Sequence, residues 1–430
     1  MNHWKETAEI LSRLAELRAA GRRAALATVV DIVGSAYRRP GAKLLIEDAG
    51  GTLGSVSGGC LEADVREVAR AVLETGRPSL RRYDTGEEDA VWGLGLGCNG
   101  LVDVFVQPAT EGPLAALAGP LRELFAGDRT VALATVVADG TTAGDAADAG
   151  DAADARLPGG EVGATLAIDY RGMEETTEAA GDGTPDEGHT RHPRAAGGPA
   201  SARVREPREP PADVHGSLGS PELDRQARQL AERVRGLAAD GRSSVHAIAG
   251  RKVFLEVLPP PPHLLVCGGG DDARPLVAYA ADVGFRVTLL DHRPALLAAE
   301  WFPQALRRVV ARPEDPDLAL PPPARTLAVV KTHSLAHDRE WVRRLLAAGL
   351  PYIGVLGPRG RTEAILHDVD AQAARRGTPA RERVFGPVGL DLGADGPRQV
   401  AISIVAELLA FTSRREPRHL SALQEAIHAG

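Results

Sequence analysis

The stretch from His263 to Asp291 constrains the fold most. His263-Leu264-Leu265-Val266-Cys267 is an apolar run of strand length. It stops at Gly268-Gly269-Gly270-Asp271-Asp272-Ala273, which fits G-x-G-x-x-A at the entrance to a helix; Pro275 is tolerated in that helix's first turn. Phe285–Leu290 is a second apolar run and closes on Asp291. That acid stands roughly 20 residues past the turn, where a dinucleotide-binding unit holds a ribose hydroxyl. Strand, glycine turn, helix, strand and acid in this order specify a βαβ unit.

The alternation continues. Strands are expected at Leu306–Val310, Leu327–Lys331 and Tyr352–Leu356, and helices over Asp338–Ala348, Arg361–Arg375 and Pro397–Thr412. This is the pattern of an α/β domain, a Rossmann-like doubly wound parallel sheet over 263–430, entered through a stiff Pro259–Pro262 linker. Ligands of such sheets bind at the carboxyl ends of the strands. Candidate contacts are Gly268, Gly270 and Asp291, with Arg359 and Arg361 at a helix start that suits an anion. His333 and His337 fit two readings, a metal pair with no evident third ligand or polar groups lining a cleft.

The first unit, 1–110, turns on Gly41–Val65. Helical spacing over Trp4–Ala20 puts Ile10, Leu11, Leu14 and Leu17 on one face. Strands follow at Ala24–Val30 and Leu44–Ile46. Between them lies Val33–Gly41, with Ser35, Arg38 and Arg39, and Lys43 just beyond. Such a loop holds a phosphate with amides and guanidinium, or is simply a solvated basic turn. Gly54-Ser55-Val56-Ser57-Gly58-Gly59-Cys60 then runs into a helix over Glu62–Glu74. Glycines permit close backbone approach to a ligand, and a helix start favours an anion or thiolate. Cys60 is therefore a reactive thiol or a small buried residue. After a strand at Leu80–Tyr83, Gly93–Gly100 is a second glycine-rich loop, carrying Gly97 and Cys98. A strand over Leu101–Val106 closes the unit.

Residues 127–258 read as a degenerate second copy. Leu133–Val137 repeats Leu26–Val30, Gly163–Ile168 echoes Gly41–Ile46, and Gly216–Ser220 echoes Gly51–Ser55. Helix Glu222–Ala238 matches Glu62–Glu74, and Val253–Leu255 matches Val104–Val106. The shared order supports one ancestry. The second copy lacks the Ser57–Cys60 turn, the Gly93–Cys98 loop and the arginine pair, which marks those loops as functional in the first. Two insertions, about 138–156 and 171–215, are poor in large apolar residues and are expected to be disordered.

The formal charge of −8 argues against a nucleic-acid partner. No run is apolar and long enough for a membrane span, and the charged N-terminal helix is no signal peptide. Three cysteines without a CxxC suit free thiols in the cytoplasm.

Taken together, GSAYRRPGAKLLI, GSVSGGCLE, WGLGLGCNG, LPPPPHLLVCGGGDDA, VTLLDHRP, THSLAHD, YIGVLGPRGR and VGLDLGADGPRQVAISIVAE resemble the XdhC/CoxI family, accessory proteins of xanthine dehydrogenase and related molybdenum hydroxylases. The resemblance covers nearly the whole chain outside the insertions. It implies a family-type N-terminal α/β domain and a C-terminal Rossmann domain. It also implies a chaperone that binds molybdenum cofactor (molybdopterin), holds it while a cysteine desulfurase installs a sulfido ligand, and delivers it to the apo-hydroxylase, acting as a homodimer. The chemistry agrees: a phosphate for Ser35, Arg38, Arg39 and Lys43, close approach at Gly58, Gly59 and Gly97, and a soft metal for Cys60 and Cys98. One departure stands out. The family's turn reads GAGH where this chain has Gly268-Gly269-Gly270-Asp271, adding negative charge where a phosphate would lie. An NAD(P)-dependent oxidoreductase, using that turn with Asp291 and with Cys60 or His333 as an acid, is the alternative; a purely structural adaptor is the third.

Overall fold

A computed structural model of the chain describes residues 2–34, 36–84, 100–127, 130–139, 162–170, 213–237, 243–373 and 380–422. Both expected insertions fall largely outside them, as do Ser35, Gly97 and Cys98.

The described residues form three sheets. The first is antiparallel in the order β3-β2-β1-β5-β4, from β1 (Ala24–Gly34), β2 (Lys43–Glu47), β3 (Thr52–Gly54), β4 (Ser79–Asp84) and β5 (Gly100–Pro108). Side chains alternate across a strand, so β1 serves two faces. Ala25, Ala27 and Val29 meet Val65, Ala69 and Val72 of α2 (Glu62–Thr75). Leu26 faces the opposite core, with Ile10, Leu11, Leu14 and Leu17 of α1 (Asn2–Ala19).

The second sheet, β8-β7-β6-β10-β9, has the same order of equivalent strands: β6 (Val131–Asp139), β7 (Thr165–Asp169), β8 (Asp213–Gly216), β9 (Ser244–Ile248) and β10 (Arg251–Leu258). One face holds Leu223, Ala227 and Ala231 of α4 (Pro221–Leu237). Between the two sheets lies α3 (Gly112–Ala126), whose Leu117, Leu121, Leu124 and Phe125 join α1 and both sheets in one core. Trp4 and Phe125 rings are 4.3 Å apart there. Helix α3 falls in the gap between the two expected units. It precedes β6 as α1 precedes β1. Pro113, Gly119 and Pro120 obscure its helical pattern in the sequence.

The third sheet is parallel, in the order β13-β12-β11-β14-β15-β16: β11 (His263–Cys267), β12 (Arg286–Asp291), β13 (Arg307–Val310), β14 (Thr326–Val330), β15 (Tyr352–Val355) and β16 (Val384–Phe385). In connection order this is 3-2-1-4-5-6, the Rossmann arrangement, with its switch point between β11 and β14. Helices α5 (Ala273–Asp282) and α8 (Pro397–Thr412) cover one face; α6 (Leu335–Ala347) and α7 (Arg359–Ala373) cover the other. The expected helices and strands of this domain are present, with ends shifted by a few residues; β16 and the first domain's β3 are too short to show a pattern in the sequence. No described helix is long and apolar enough to cross a membrane.

Candidate functional site

Two loops meet at one end of the first sheet. Residues 36–41 leave β1 and return to β2, closed by Gly41 N donating to Val29 O at 2.7 Å. Residues 55–60 leave β3 at Gly54, whose φ of 89° and lack of a Cβ allow it to press on the Lys43 carbonyl. Tyr37, 71% exposed, rests its ring beside Gly58; a Cβ there would sit 3.7 Å from the ring.

Glu6 of α1 ties the loops together. Arg38 Nη2 donates to its Oε2 at 2.5 Å, and Ser55 N donates to its Oε1 at 3.3 Å. Burial pushes the Glu6 carboxyl up, against the pull of Arg38 and the Ser55 amide. A second carboxylate, Glu62 at the first position of α2, locks the turn from below. Its Oε1 accepts from Ser57 N at 3.0 Å and Ser55 Oγ at 3.2 Å, and its Oε2 accepts from Ser57 Oγ. Ser57 Oγ in turn accepts from Gly59 N and Leu61 N, both at 3.1 Å. Burial works against the Glu62 charge, yet the Ser57 and Ser55 hydrogen bonds hold it below the usual carboxylate range.

The product is a rigid cradle. Gly58 and Gly59 are exposed on its rim, Gly59 with φ 113°. Cys60 is a free, half-buried thiol just before the helix, whose N-cap is Leu61. Arg39 is exposed on the neighbouring loop, and Arg38 is half-buried against Glu6. Neither Glu6 nor Glu62 is marked by the sequence, because their roles depend on distant or doubled-back partners.

Lys43 is a correction. It does not face the cradle. Its side chain is 5% exposed and its Nζ pairs with Glu256 of β10, so the expected anion contact is replaced by an internal one.

The second cluster lies at the carboxyl ends of β11, β12 and β14. Gly268, with φ 123°, sits against the Lys331 carbonyl where a Cβ would clash. Asp291 is also not the open ribose ligand that its position suggests. Its side chain is 2% exposed; Oδ2 accepts from Gly269 N at 2.8 Å, and both oxygens accept from Arg293 at 2.9 Å. Burial opposes this charge, but the Arg293 and Gly269 hydrogen bonds bring the carboxyl down to about 2. Asp291 thus clamps the glycine turn. Asp272, just before α5, accepts from Lys331 Nζ at 2.7 Å. Asp338, fully buried, accepts from Thr332 N at 3.0 Å and Arg361 Nε at 2.8 Å, so Arg361 is held internally too. Arg359 is exposed at the start of α7. His337 stacks edge-on against His292 at 4.8 Å, while His333 points to Asp272. Among the described residues, no group of three or more His, Cys, Asp or Glu side chains could hold a metal ion.

Comparison with known proteins matches both halves. The model of the XdhC and CoxI family matches residues 17–84. That of the XdhC Rossmann domain matches residues 264–408. A protein of Bacillus subtilis (strain 168), named as a probable xanthine dehydrogenase subunit, is 28% identical over 393 residues, 91% of this chain and 94% of that protein. The molybdenum cofactor insertion chaperone PaoD of Escherichia coli (strain K12) is 36% identical over 91 residues, 21% of this chain and 28% of PaoD. A crystal structure described as a xanthine dehydrogenase from Bacillus halodurans shares the fold, with a TM-score of 0.65 at 24% identity, covering 97% of this chain and 98% of its own. With one match spanning the cradle and the other the parallel-sheet domain, in chain order, this chain is similar to the XdhC and CoxI family in both its first and its last domain.

Proposed function

We propose that this protein carries molybdenum cofactor as cargo in the Tyr37–Cys60 cradle and passes it to an apo molybdenum hydroxylase of the xanthine dehydrogenase type. The observation that carries the reading is the exposed Gly58-Gly59 rim beside the half-buried Cys60 thiol, made rigid by Glu62 and Glu6. Bare glycine backbone admits a bulky ligand closely. A thiolate suits a soft metal, and guanidinium groups at Arg38 and Arg39 suit a phosphate. The chaperone name of one relative and the xanthine dehydrogenase name of another support the same cargo and client. On this reading the protein performs no turnover of its own. A cysteine desulfurase supplies the terminal sulfur while the cargo is held, in the cytoplasm and in a homodimer.

The Rossmann strand order favours a second reading, an NAD(P)-dependent oxidoreductase. Two carboxylates weigh against it. Asp291 is committed to Arg293 and Gly269, and the Asp272 carboxylate leans over Gly270, where a Cβ would lie 2.8 Å from its Oδ1.

The deciding experiment is anaerobic mixing with released molybdenum cofactor, passage through a desalting column, and assay of molybdenum and pterin in the protein fraction. Near-stoichiometric amounts of both are expected. A folded protein that retains neither, while binding NAD+ in a titration, establishes the second reading instead.

A further inference from the structure

Between α5 and α8, at the carboxyl ends of β11 and β14, lies a crevice of about 210 Å³. Pockets for drug-sized ligands run to roughly 300–1,000 Å³, so this one has room for a small ring system and not for a dinucleotide. Its walls are Leu276, Leu356, Val400 and Ile404, and its polar groups are Asp272 and Lys331. The Lys331 side chain is 1% exposed and its ammonium is spent on Asp272, whose own side chain remains 27% exposed. His333 brings Nε2 to 3.3 Å from Asp272 Oδ2, from a backbone at φ 62° that few non-glycine residues adopt. The same Nε2 lies 3.5 Å from Oδ1, which also accepts from Lys331, so one ring nitrogen is shared across both oxygens and the carboxylate keeps room for roughly two further donors.

Two requirements on a ligand follow. It carries no diphosphate, because Asp272 occupies the space over Gly270 across which a dinucleotide's pyrophosphate runs. It has apolar faces for the four aliphatic walls and an edge with adjacent N–H donors, which a carboxylate receives in paired fashion. An adenine or nicotinamide edge alternates donor and acceptor. A 2-amino-4-oxopyrimidine edge sets a ring N–H beside an exocyclic amine.

We infer that the α5–α8 crevice binds a planar, uncharged heterocycle bearing a 2-amino-4-oxopyrimidine edge, a pterin or a guanine, with Asp272 receiving that edge. The site is separate from the cradle, and its occupancy does not depend on cargo binding there.

Titration calorimetry of the full chain with pterin, guanosine, lumazine and NAD+ tests this. Lumazine matches pterin in shape but has an oxo group in place of the 2-amine. Pterin or guanosine is expected to bind at least tenfold more tightly than lumazine, with NAD+ weaker still. Pterin above guanosine identifies a free pterin as the source; the reverse identifies a purine ligand. Asp272→Asn removes the preference over lumazine, and Val400→Phe, which fills the crevice from its partly exposed side, removes binding altogether. Molybdenum retention by Val400→Phe, measured in parallel, reports the cradle and stays at the wild-type level. Equal binding of pterin and lumazine, tightest binding by NAD+, or no binding of pterin and guanosine by the folded wild-type protein overturns the inference.

Discussion

Lys43 of β2 and Glu256 of β10 form a buried ion pair across the two antiparallel sheets, with side chains 5% and 4% exposed. Lys43 Nζ also donates to Gly41 O at 3.0 Å, the residue that closes the Tyr37–Arg39 loop. In the second sheet Thr165 makes the matching bond to Gly163 O at 3.1 Å without a charge. The pair therefore pins the cradle's base to the second sheet.

Removing one partner strands a charge in the interior. Lys43→Met or Glu256→Gln is expected to cost about 3–5 kcal/mol in chemical denaturation, and the Lys43→Met/Glu256→Met double variant to recover most of it. Single variants within about 1 kcal/mol of wild type would show the pair to be incidental.

Lys43 also shows where sequence reading ends. Beside Arg38 and Arg39 it reads as one more cation of a basic loop, since nothing local announces a partner on another sheet. The Rossmann domain is legible because its signals are local: a strand, a glycine turn and a helix in one run of residues. Asp291 is legible in place but not in use, since its Arg293 clamp folds back on its own loop. Helix α3 is hidden because its prolines mask a helix whose stability comes from packing, on Leu14, Leu133 and Leu258 among others.

Glu62 holds the Ser55–Cys60 turn through three accepted hydrogen bonds. Glu62→Gln keeps the shape but exchanges an acceptor oxygen for an amide donor facing Ser57. A loss of about 1–3 kcal/mol is expected, with at least tenfold less cargo retained after desalting. Full retention in a destabilised variant would detach the turn from cargo binding.

Asp291 gives a pH signature. Its folded value of about 2 lies below the ordinary 3.8, so its contribution is fully present above pH 4 and lost as pH falls through 2. Asp291→Asn is therefore expected to cost about 2 kcal/mol at pH 7 and roughly half that at pH 3. Urea denaturation of both proteins at the two pH values measures the gap, and a gap that fails to narrow rules out the carboxylate charge as its source.

Cys60 separates metal capture from folding. Its side chain is small and half-buried at the edge of the core under α2, so Cys60→Ala is expected to cost about 1 kcal/mol or less. Cys60→Ser keeps the size but offers a hard oxygen to a soft metal. If the thiolate grips the metal end of the cargo, both variants lose molybdenum together, at least tenfold, while their thermal unfolding stays near wild type. If size alone matters, Cys60→Ser retains what Cys60→Ala loses. Wild-type retention in both variants would leave the glycine rim and the arginines as the whole of the grip, and the metal end of the cargo would then be free for a sulfur donor to reach.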